Sequence, residues 1–135
     1  MAETERIVRG LIDRTLPKAE WTHQAHLRAG LWHVHEHGPA LALELLRARI
    51  SAYNESVGTA NTETSGYHET ITGFYVAVID RFLSGADRSL DLDALAAQLI
   101  AAHGDRRLPL HHYSEARLFS PLARRSWVES DLRPI

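Results

Sequence analysis

The apolar residues of this chain recur three or four places apart, and no β-branched run alternates with polar residues as a half-buried strand requires. That pattern predicts an all-α fold. Ile7, Val8, Leu11 and Ile12 mark a helix over residues 3–15, which Leu16-Pro17 ends. Thr22 is placed to cap a second helix running to about His37. Gly38-Pro39 closes it and opens a third over 39–53, because proline suits a first helical turn. Residues 54–66, N-E-S-V-G-T-A-N-T-E-T-S-G, have no period and many turn formers. They predict a long loop, of the kind that binds ligands or moves. Ile71, Phe74, Tyr75, Val78, Ile79 and Phe82 form the apolar side of a helix from Tyr67 or His68 to Leu83. Gly73 inside it costs about 1 kcal/mol of helix propensity, which a close helix crossing would explain. Residues 90–102 add a Leu- and Ala-rich helix, and Ser114 and Ser120-Pro121 open two short ones. The expectation is a helical bundle of about four main helices, with a long loop 54–66 and a short helical C-terminal wrap.

The 135 residues suit one domain, 1–135. There is no cysteine, which excludes disulfides, thiolate nucleophiles and cysteine-ligated metals and fits a reducing cytoplasm. Fifteen basic residues face 17 acidic ones, and Lys18 is the one lysine. Without a basic arm or face, no nucleic-acid partner is expected. No stretch has the roughly 18 apolar residues of a membrane span, and the M-A-E-T-E-R start lacks a signal peptide's apolar run.

Histidine is the outlier, with nine in the chain. His33, His35 and His37 alternate, so a helix splays them around its circumference, and a solvated role is expected for all three. In W-T-H-Q-A-H, residues 21–26, His23 and His26 stand on one helical face with Leu27, Gly30 and Val34. A half-buried polar pair needs a partner, and a metal ion is one. His68, in Y-H-E-T-I-T at 67–72, opens another core-facing stripe. If the two helix starts meet, His23, His26 and His68 form a three-imidazole shell with an open fourth position. Zinc suits it best, and iron, nickel, cobalt or manganese also fit. Glu69 would shuttle the proton of a metal-bound water, or orient a ligating histidine.

The zinc-protease motif H-E-x-x-H, a glycine-rich phosphate cradle and a G-x-S-x-G elbow are absent. Asn54, Tyr67 and Arg117 are candidate substrate contacts, Arg117 because its fork matches an anion. Glu20 is a spare carboxylate, and His111 or His112 would complete the shell if the tail folded over the bundle end. Trp21 reads as a staple before the Thr22 cap, and Trp127 as an anchor for the tail. The resulting expectation is a small metal-dependent enzyme, hydrolase or lyase in type, acting on a small polar metabolite. The alternatives are a non-catalytic metal or metabolite binding protein, and a structural helical partner without a site. A homodimer is compatible with each.

W-T-H-Q-A-H-L at 21–27, Y-N at 53–54, G-Y-H-E-T-I-T at 66–72, Y-S-E-A-R-L-F-S at 113–120 and W-V-E-S-D-L-R-P-I at 127–135 span nearly the whole chain. Together they resemble a family of short bacterial all-helical proteins. The resemblance implies one intact domain and transfers no reaction. Where such proteins read E-P-D near the end, this chain has Glu129, Ser130 and Asp131, a change that falls on the tail turn.

Overall fold

The computed structural model describes residues 2–135; Met1 lies outside them. The chain is all-helical, with no strand among the described residues. Four main helices are α1 (Glu3–Asp13), α2 (His23–Ser56), α3 (Glu69–Ser84) and α4 (Leu92–His103). Two short ones, α5 (Glu115–Leu118) and α6 (Pro121–Arg125), belong to the C-terminal wrap. Single 3-10 turns lie at Lys18–Glu20 and Leu108–His111.

The second and third expected helices are two arms of α2. Gly38 lies between them at φ 77° and ψ 167°, which is not helical. Only glycine adopts that conformation readily. A straight helix rises 1.5 Å per residue, which would put residues 21 and 53 about 48 Å apart. The rings of Trp21 and Tyr53 instead meet with centroids 5.5 Å apart. The arms therefore fold back on each other, and Pro39 opens the second arm without losing a hydrogen bond the turn needs.

Apolar faces of α1, both arms of α2, α3 and α4 share one core, in which Leu11, Leu27, Leu31, Leu95 and Leu99 are fully or almost fully buried. Tyr53 is buried in it too, and its hydroxyl donates to the Leu16 carbonyl at 2.9 Å. The first turn of α1 is capped from far along the chain. Asp93, in the first turn of α4, accepts from the backbone N–H groups of Glu3 and Thr4 and from the Thr4 hydroxyl. Arg28 of α2 donates to the same Asp93 carboxylate. One side chain thus joins three helices, and its hydrogen bonds to Thr4 hold its pKa below the usual value.

Two expectations about loops are corrected. The segment between α2 and α3 begins after Ser56 rather than at Asn54, which stays helical and buried. It is also held in place, because Asn61 accepts from Asn54 Nδ2 and the Tyr67 N–H and donates to the Ser51 carbonyl. Gly73 does not mark a helix crossing: a Cβ there would lie 2.9 Å from the Trp127 ring. The missing side chain makes room for the tail, and Trp127 is its anchor. Thr70 continues the seam, donating to the Ser126 carbonyl and accepting from the Val128 N–H. The Tyr113 hydroxyl donates to the Val128 carbonyl at 2.7 Å. No helix is long and apolar enough to cross a membrane among the described residues.

Candidate functional site

Thr22 caps α2 as its type and position imply, accepting from the Ala25 N–H at 3.2 Å. His23 and His26 then occupy the first turn. Trp21 stacks on His26 with ring centroids 3.8 Å apart, closing the staple with an imidazole where an aliphatic side chain is usual. His26 Nδ1 faces the Thr22 carbonyl at 2.7 Å and must carry the proton there, so Nε2 is left as an acceptor.

His68 is not part of this group. It is the N-cap of α3: its Nδ1 accepts from the Ile71 N–H at 3.1 Å. Its Nε2 donates to the Leu118 carbonyl at 2.8 Å. Both ring nitrogens are therefore committed, and no lone pair remains for a metal. No three His, Cys, Asp or Glu side chains are grouped to hold a metal ion among the described residues. The expected shell of His23, His26 and His68 is overturned, and with it the zinc, iron, nickel or manganese ion and the metal-dependent hydrolase or lyase.

Glu69 takes a different place as well. Arg47 grips its two oxygens at 3.0 and 2.6 Å, and the Tyr67 hydroxyl donates to it at 2.7 Å. Burial opposes its ionisation, but Arg47 and Tyr67 hold the pKa below the ordinary value. A carboxylate so held is ionised near neutrality. Asn54 and Tyr67 serve the pinned loop, and Arg117 donates through Nε to the Glu129 carbonyl in the tail at 2.5 Å. Glu20 pairs with Arg6 at 2.7 Å. His112 Nδ1 donates to the Pro134 carbonyl at 2.8 Å, and His111 is exposed. Among the alternating histidines His33 is fully buried, against expectation. Its Nδ1 donates to the Ala29 carbonyl, and its Nε2 accepts from Arg49 on the other arm of α2 at 2.8 Å.

What gathers beside His23 and His26 is a cavity of about 660 Å³ between α2 and α3, roofed by the segment around α5. Leu27, Leu46, Ile50, Ile71, Val76 and Ile79 give it mostly apolar walls. Its polar lining includes His23, His26, Tyr75 and Arg106. The rings of His23 and Tyr75 meet at 5.6 Å, inclined by 64°. His23 Nε2 and the Tyr75 hydroxyl oxygen are shielded from solvent, and neither has a hydrogen-bond partner among the described residues. Desolvation, then the nearby Arg106 charge, lowers the His23 pKa, so its ring is neutral at pH 7. Burial pushes the Tyr75 hydroxyl up to about 12, so it keeps its proton. Arg106 is exposed at the rim, where its charge acts on His23 and Tyr75. It makes no ion pair or hydrogen bond through its side chain among the described residues.

Sequence reasoning found His23 and His26 and missed Tyr75 and Arg106. A signal for Tyr75 existed, since a tyrosine on a buried stripe needs a partner for its hydroxyl. Arg106 gave none, being one of three charges in a short linker. No known family model matches this chain, nor does any curated protein or solved structure.

Proposed function

We propose that this chain is a non-catalytic small-molecule binding protein, and that its ligand is a mostly apolar molecule carried in the cavity between α2 and α3. The observation that carries the reading is a cavity of about 660 Å³ with mostly apolar walls, lined also by His23 and Tyr75, each of which has a shielded polar atom without a hydrogen-bond partner among the described residues. Binding sites for small molecules have this size and this mixture of many apolar contacts with a few placed polar groups. A polar atom buried without a partner costs about 1–3 kcal/mol, so a ligand that pairs with His23 or Tyr75 recovers that cost on binding. Each 100 Å² of apolar ligand surface removed from water adds roughly 2.5 kcal/mol before the entropic cost of association. The reading needs no metal and keeps the two histidines that the helix start presents.

The uncharged fluorophore N-phenyl-1-naphthylamine tests it. Its emission is expected to rise on titration into the protein, saturating at one site per chain. Ile71→Trp, which fills the cavity from α3, is expected to abolish the rise while circular dichroism retains the helical signal. No saturable rise with the folded wild type, or an unchanged one in the filled variant, would sink the reading.

A further inference from the structure

We infer that the cavity selects an amphipathic carboxylate, with its apolar body among the aliphatic walls and its carboxylate at the end bounded by His23, Tyr75 and Arg106. The inference rests on the cavity being a binding site and adds the charge of the head group.

Three observations converge on it. First, the Tyr75 hydroxyl is protonated at neutral pH and can donate, while the neutral His23 ring, drawn to the Gly104 backbone, lines the same end. The Tyr75 hydroxyl has no hydrogen-bond partner among the described residues. A carboxylate accepts about four hydrogen bonds and donates none, so it can take the Tyr75 hydroxyl and a guanidinium at once. Second, the cation at the rim is an arginine without a partner, and its planar fork matches a carboxylate with two parallel bonds. Third, the walls beyond this end are mostly apolar, aliphatic with Trp21 and Phe119, and hold no second charge, so the rest of the ligand is mostly apolar.

The charges around this end are mixed: Arg106 outweighs Asp105 at His23, and Asp105 outweighs Arg106 at Tyr75. His26 is also on the lining, and Arg106 acts on the His23 and Tyr75 rings there. Asp105 also acts on His23 and Tyr75 and opposes an anion. Its carboxylate, however, accepts from the Arg107 N–H in its own turn and is not part of the cavity lining. Among the described residues, Arg106 is the one charged side chain on that lining.

Displacement of N-phenyl-1-naphthylamine by decanoate and by 1-decanol, at pH 7.5, separates the head group from the apolar body. Decanoate is expected to displace the probe at about tenfold lower concentration than decanol, the range of a charge-assisted pair at a partly exposed site. In Arg106→Gln, a substitution at an exposed position, that preference is expected to vanish with decanol unchanged. Tyr75→Phe is expected to weaken decanoate several-fold and decanol less. Equal displacement by the two compounds, a preference that survives Arg106→Gln, or probe binding that neither compound displaces would overturn the carboxylate while leaving the cavity a binding site. Failure of the probe itself to bind overturns both.

Discussion

His33 shows how one buried side chain sets a pH limit on the fold. Its ring lies between the Ala29 carbonyl and the Arg49 guanidinium, across the fold of α2. Burial, then the Arg49 charge, lowers its pKa to about 4, against the pull of the Ala29 carbonyl. Above pH 6.5 the ring is neutral in both folded and unfolded chains and pH has no effect through it. Below that value the unfolded chain takes up a proton that the native one refuses, so stability falls as pH drops from about 6.5 toward about 4. At one pKa unit per 1.36 kcal/mol the loss through this residue approaches about 3 kcal/mol at the lower limit. His23 and His68 are lowered in the same direction and steepen the fall. Two-dimensional NMR of the imidazoles is expected to find His33 still neutral at pH 5, and the urea midpoint is expected to be lower there than at pH 7. Titration of His33 near 6.5 would contradict this account.

At the scale of elements, Gly38 decides whether residues 23–56 are a hairpin or a rod. An alanine Cβ at this position would meet nothing within 4 Å, so Gly38→Ala isolates the backbone cost. Holding a non-glycine residue at φ 77° and ψ 167° is expected to cost about 1–3 kcal/mol, read from chemical denaturation midpoints. Little or no loss would mean that the turn relaxes into another geometry. The helix starts and stops were legible because local chemistry marks them: Thr22, Ser114 and Ser120 are caps in the structure, and Gly38-Pro39 is the break. His68 misled because an imidazole did the work usually given to Ser, Thr, Asp or Asn. Its second partner, the Leu118 carbonyl, is 50 residues away, so spacing along the helix held no trace of it. The cavity was illegible for a related reason. A void records what side chains from several elements fail to fill, and no single segment encodes that. The right face of α2 was readable from His23 and His26, whereas the far wall on α3 looked like ordinary core.

Across the whole molecule, the C-terminal wrap closes the site end of the bundle, and Thr70 is its main stitch. The hydroxyl is fully buried and holds both the Ser126 carbonyl and the Val128 N–H. Thr70→Val keeps the shape and removes both bonds, leaving a buried N–H without an acceptor. The expected loss is about 1–3 kcal/mol in urea denaturation. Trypsin is expected to cut faster after Arg124 or Arg125 in that variant, since the tail beyond them is freed. Equal cleavage rates in the two proteins would show that the tail's other contacts, Trp127 in the notch at Gly73 and the Tyr113 hydroxyl on Val128 among them, suffice to hold it.

The carboxylate that completes the amino-terminal helix has a bearing on synthesis. Asp93 is made some 89 residues after the Thr4 groups it receives. On a chain growing at about 5–20 residues per second, those groups wait several seconds for it. Until the ribosome releases that aspartate, water alone serves them, so α1 gains its final anchorage only after α2 and α3 have been made.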